Sequence, residues 1–229
     1  MQDEPAPASA ASQDGAHVPS TVRLFHQSRW LPDVSISCTK PMGVACRRAG
    51  NCHTLRDVAD MLREYGEEPG PCPDDPGALL THRTGTLGAK QALLAGLAAE
   101  CRRDDVQLIL ACHEFELPGD VPDGGRPPTL PLVVCYLRCR SREVQITDAE
   151  SASILHSKAV SSVRVEPQVL SQERVQQYQR FAADWCRVLD VSAAQFARRR
   201  SDQLRRAARR SIVEDLLGYA LPPEFAPGR

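Results

Sequence analysis

Gly85-Thr86-Leu87-Gly88-Ala89-Lys90-Gln91-Ala92-Leu93-Leu94-Ala95-Gly96-Leu97-Ala98 is the stretch on which the fold turns. Leu93, Leu94, Leu97 and Ala98 recur at helical spacing among small residues, and Gly85-Thr86 supplies the opening. A helix is predicted over residues 85–100. A polar turn at 102–105 follows, then an apolar run of strand length, Val106-Gln107-Leu108-Ile109-Leu110-Ala111-Cys112. Residues 116–131, dense in Pro and Gly, read as a loop. Residues 132–138 form a second predicted strand. A tight polar turn at 140–142 then leads to a third at 144–147, which together make a hairpin.

Upstream, residues 53–65 carry helical periodicity, with Thr54 as N-cap and Leu55, Val58, Ala59, Met61 and Leu62 facing the core. Residues 66–75 read as a loop. Downstream, 171–189 is an amphipathic helix with Val175, Tyr178, Phe181, Ala182 and Trp185 on one side, and 192–217 is a further long helix. Residues 1–21 lack periodicity and offer too little apolar surface to offset their ordering entropy, so they read as a flexible tail. This gives a tail at 1–21, one domain at 22–189, an Arg-rich helical segment at 190–220 and a tail at 221–229. Helices, a small antiparallel sheet, then helices define an α+β class.

Composition narrows the function classes. In 229 residues, 42% are hydrophobic and 25% charged, enough for a substantial core in an ordinary soluble domain. A net charge of −1 gives no global attraction to nucleic acid or to an anionic membrane. The nine cysteines are odd in number and irregularly spaced, and no signal-peptide pattern precedes them, so reduced thiols in a cytoplasm are expected. No apolar stretch reaches membrane-spanning length. Arg far outnumbers Lys amid abundant Ala and Pro, the bias of a GC-rich bacterial coding sequence.

The 85–98 row resembles the nucleophile helix of bacterial transglutaminase-like domains, of papain-like fold, whose pattern is G-T-C-x-x-K-H-x-L-L-x-x-L-A. Val134-Cys135-Tyr136-Leu137 is similar to that family's H-C-Y-L strand, and Val144-Gln145-Ile146-Thr147 to its I-D-V-T partner. The resemblance spans roughly residues 22–189. It implies a buried helix packed on a small antiparallel sheet, with C-terminal helices. It also implies that the family's Cys, His and Asp are replaced here by Leu87, Val134 and Gln145. Leu has no nucleophile, Val takes no proton, and an amide does not stabilise an imidazolium as a carboxylate does. Thiol acyl transfer through this triad is thereby excluded, and no cofactor is implied.

Two functions fit. The first is a non-catalytic accessory or binding protein, a pseudoenzyme. The second is a repurposed enzyme of a bacterial pathway, such as a biosynthetic one, using the former cleft for a triad-independent reaction on a small or carrier-bound substrate. The cleft candidates are Thr86, Leu87, Val134 and Gln145, with polar contacts from His113 or Glu114 and a lesser contribution from Cys135. Cys112, His113, Cys135 and Cys139 are weak metal candidates. Alternation sets His113 against Cys112 and Glu114, and no CxxC pair supports a site, so no metal is expected. A second weak cluster joins Cys46, Cys52 and His53, in a loop beside Arg47-Arg48, with Cys38 and Cys72. Arg198, Arg199, Arg205, Arg206, Arg209 and Arg210 form a helical stripe suited to an acidic partner, with nucleic acid the less favoured ligand.

Overall fold

The computed structural model describes residues 22–66, 75–116, 129–147, 153–155 and 157–189. The class is α+β: helices α1 (Pro41–Gly50), α2 (Leu55–Arg63), α3 (Pro76–His82), α4 (Leu87–Glu100) and α5 (Leu170–Leu189), with strands β1 (Val22–Phe25), β2 (Val106–Glu116), β3 (Thr129–Cys139), β4 (Arg142–Val144), β5 (Ser153–Leu155) and β6 (Ser157–Arg164). The strands form one sheet in the order β5-β1-β4-β3-β2-β6. It is larger than the small antiparallel sheet expected, and it is mixed, because β1 runs parallel to β4.

Helix α4 is the centre of the core. Thr86 caps it, its hydroxyl accepting from the Ala89 amide at 3.1 Å. All twelve residues from Leu87 to Ala98 are buried. A helix apolar on every side has no solvent face and must be enclosed. Here α1, α2 and α3 pack around it, and β2 and β3 lie beneath. Strand alternation sorts the sheet into two faces. Leu108, Leu110, Cys112, Val133, Cys135, Leu137 and Cys139 join the α4 residues in the main core, whereas Ile109, Ala111, Val134 and Tyr136 form a second cluster with Leu24.

Several boundaries differ from the sequence reading. Helix α1 replaces the expected loop around Cys46, and α3 was not anticipated. Both open on a proline at the first helical position, where the missing N–H costs nothing. Strands β2 and β3 run further into the 116–131 segment than their apolar runs imply, because the ladder continues from Cys112↔Val133 to Glu116↔Thr129. The third strand ends at Val144 rather than beginning there. In α5 the buried side is Leu170, Arg174 and Tyr178, while Val175, assigned to the core face, is 43% exposed. The backbone of Phe181, Ala182 and Trp185 lies within α5. The long helix at 192–217, and both terminal tails, fall outside the described residues.

The helical layer is stitched at its ends. Thr54 and Asp57 form a capping box on α2. The Glu100 carboxylate, at the end of α4, accepts from the Met42 and Gly43 amides at 3.0 Å each, so one helix supplies the anion that the first turn of another needs. Gly43 also lets the Ser37 backbone pass close to this turn, since a Cβ there would lie 2.1 Å from the Ser37 carbonyl oxygen. Gly43→Ala is therefore expected to cost about 1–3 kcal/mol by overpacking against rigid backbone. Gly96→Ala meets only the mobile end of Met42 and should cost less. Thermal melts of the two variants would reverse this order if the Gly43 contact were yielding.

Candidate functional site

Gln145, one of the candidate cleft residues, opens a short extended segment, residues 145–147, just beyond β4. Its backbone is held almost entirely by side chains. The Gln91 amide, on α4, donates to the Ile146 carbonyl at 3.3 Å and accepts from the Ile146 N–H at 3.4 Å. Gln91 thus supplies both halves of a strand pairing. His26, just after β1, uses Nδ1 to donate to the Gln145 carbonyl at 2.7 Å. Arg63 Nε donates to the Thr147 carbonyl at 3.1 Å. The Gln145 N–H reaches the Phe25 carbonyl at 2.9 Å, and its side-chain Nε2 reaches the Cys135 carbonyl at 2.8 Å. Gln91 takes both Ile146 groups, while the Gln145 N–H and C=O turn to Phe25 and His26 on the β1 side.

His26, Gln91, Gln145 and Thr147 are all buried. A buried amide or imidazole without its bond costs several times what the bond contributes, so this network fixes geometry. Gln145 Oε1 is buried and makes no hydrogen bond among the described residues. Lys90, one residue before Gln91, is wholly buried and donates from Nζ to the Tyr65 carbonyl at 2.8 Å.

Leu87 occupies the first position of α4 and is 1% exposed. Val134 packs instead in the second-face cluster beside Ala111 and Tyr136. Gln145 alternates with Val144 and Ile146, which belong to the α4-side core. Thr86 spends its hydroxyl on the helix cap. Cys135 is buried on the α4 side, and His113 is buried on β2, which pairs with β3 and β6. Glu114 stands on β2 opposite Pro131 and Lys158. The cleft candidates are therefore divided between two layers of the core, with Gln145 Nε2 reaching the Cys135 carbonyl.

The thiols that titrate abnormally are shifted away from reactivity. Burial, helped by Cys52 and Glu100, pushes the Cys46 thiol up to about 12. Burial, then Asp105 and Glu143, does the same for Cys139. Cys52 and Cys112 are also raised, chiefly by burial. Raised thiols are poor nucleophiles and poor metal ligands. Among the described residues, no group of three His, Cys, Asp or Glu side chains is placed to hold a metal ion. Cys112, Cys135 and Cys139 share the α4 face, and His113 alternates away from Cys112. In the second cluster, His53 is exposed and its Nδ1 accepts from Arg47 at 2.8 Å, while Cys52 Sγ contacts Met61 Sδ at 3.7 Å. Cys38 is exposed, and Cys72 lies outside the described residues. So do Arg198, Arg199, Arg205, Arg206, Arg209 and Arg210.

Sequence reasoning overlooked His26, Arg63, Lys90 and Gln91 as site residues. Lys90-Gln91 carried a usable signal, since two long polar side chains interrupt an otherwise apolar, small-residue helix. His26 carried none, because its role depends on a parallel pairing with a strand more than a hundred residues away.

Compared with known proteins, the chain matches no protein family, no curated protein and no solved structure. Among the described residues, no helix is long and apolar enough to cross a membrane.

Two outcomes follow from this geometry. Gln91→Met keeps the volume but strands the Ile146 N–H and C=O in the core, and is expected to cost about 3 kcal/mol in urea unfolding. Burial lowers the His113 pKa to about 4, whereas the unfolded chain titrates near the ordinary value of about 6.5. The unfolded state therefore takes up the proton first as pH falls. The stability is full above about pH 6.5 and is lost progressively down to about pH 4. Between pH 7.5 and pH 5 the loss assigned to His113 is about 2 kcal/mol, and His113→Gln should flatten that part of the profile.

Proposed function

We propose that this chain is a transglutaminase-like scaffold without thiol acyl-transfer chemistry, acting as a non-catalytic accessory or binding protein. The observation that carries this reading is the use made of the position aligned with the family's Asp. Among the described residues, no hydrogen bond joins the Gln145 side chain to an imidazole. Gln145 Nε2 is spent on the Cys135 carbonyl, and its backbone is clamped by His26 and Phe25. The other two positions support it, since Leu87 and Val134 are apolar and buried. The order of elements supports the fold half: a capped, enclosed helix followed by two long antiparallel strands and a short third.

A catalytic thiol needs a lowered pKa, an adjacent imidazole and access to substrate. Cys46, Cys52, Cys112 and Cys139 are buried with raised thiols, and Cys135 is buried. The polar groups at residues 145–147 are devoted to holding backbone. Such a centre is a rigid support from which surfaces are presented.

The test combines turnover and labelling. Purified protein, incubated with a glutamine-donor peptide and a primary-amine acceptor, is expected to give no amine incorporation. Intact-mass analysis after native iodoacetamide treatment is expected to leave Cys46, Cys112, Cys135 and Cys139 unmodified. Amine incorporation, or an acyl adduct on a cysteine that vanishes on its substitution by Ser, overturns the reading. Turnover of another small or carrier-bound substrate, lost on substitution of His26 or Gln145 in a variant that still folds, would establish a repurposed enzyme instead.

A further inference from the structure

A cluster of cations lies on the β1–β4 pair, on the strands that lead into the 145–147 segment. Phe25 and Trp30 stack with ring centroids 4.8 Å apart at an interplanar angle of 54°. Three guanidiniums lie over these rings: Arg23 at 5.1 Å from the Phe25 centroid, and Arg29 at 5.1 Å and Arg142 at 4.5 Å from that of Trp30. All three arginines are exposed. The parallel register Leu24↔Glu143 and Phe25↔Val144 places Arg23 beside Arg142 one step back along the pair. Like charges on adjacent strands repel, and neighbouring strands are only about 4.8 Å apart.

Within the described residues nothing neutralises them. Asp33 is paired with Arg56, and Glu143 with Arg138. Arg23, Arg29 and Arg142 form no ion pair with a described carboxylate. A guanidinium held over a ring is ordered by that contact and keeps N–H donors for a further partner. The two on Trp30 are within about 10 Å of one another, since both sit on one ring.

We propose that Arg23, Arg29 and Arg142 form a docking surface for an extended Asp/Glu-rich segment of a partner protein. Carboxylates at alternate positions of an extended chain fall on one side, about 6.7 Å apart, which suits several separated cations better than a single anion does. Bidentate pairing of carboxylates uses the N–H edges left free. Single-stranded nucleic acid is the weaker fit, because it needs open aromatic faces for its bases, and here arginines cover the rings. The surface stands independently of the accessory role, since an active enzyme would carry it equally.

The test is fluorescence anisotropy of the full chain with fluorescein-labelled decaglutamate, with oligothymidylate of ten residues as the comparison. Saturable decaglutamate binding at low salt, weakened by added salt, is expected. Arg23→Ser combined with Arg142→Ser should weaken it about tenfold, and Arg29→Ser by a smaller factor. Arg48→Ser, an exposed arginine of α1 outside the cluster, should leave it unchanged. Circular dichroism melts establish that each variant is folded. If the double variant fails to fold, Arg29→Ser against Arg29→Lys decides. Absence of decaglutamate binding, equal loss on Arg48→Ser, indifference to the cluster substitutions, or tighter binding of oligothymidylate each overturns the proposal.

Discussion

A single side-chain amide determines where the sheet ends and the helical layer begins. Gln91 holds both polar groups of Ile146 from within an otherwise apolar helix, so α4 has one permitted depth and rotation over the sheet. Apolar packing alone tolerates sliding, because it is nearly non-directional. Two hydrogen bonds to one peptide unit do not. His26, Arg63 and Gln145 then align the same segment with β1, α2 and β3. The segment belongs to no strand, yet four elements take their registration from it.

This arrangement gives the amide at position 145 a physical meaning. A carboxylate at position 145 would carry acceptors only, leaving the Cys135 carbonyl facing a negative oxygen in a buried setting. The Gln145 amide supplies the donor that the site requires. Leu87 and Val134 are apolar and contribute buried volume.

The parts legible in the sequence are those fixed by local pattern. The apolar period of α4, the run of β2 and β3, the Thr54 cap and the tight turn at 140–142 each express themselves within a few residues. Arg140 adopts a left-handed φ of 57° in that turn. What escaped depends on distant partners. The parallel pairing of β1 with β4 leaves no local trace. The third strand was placed late because Val144-Gln145-Ile146-Thr147 alternates like a strand, while its bonds go to side chains. Val175 was put on the wrong side of α5 because Arg174, a charged residue, takes the buried position. For the site, Gln145 is singled out in the sequence, but the network around residues 145–147 is not. Lys90 and Gln91 had a visible signature, and His26 had none.

The clasp between Glu100 and the first turn of α1 carries a different kind of consequence. A helix start with free amides is a ready receptor for phosphate or carboxylate, and this one is filled from within the chain. The carboxylate is tethered to the end of α4, so its effective concentration at the amides exceeds that of dissolved anions. Any soluble competitor must first displace a ligand that never diffuses away. The start of α1 is thereby closed to chance anions, and α1 stays fastened to the helix on which the core is built.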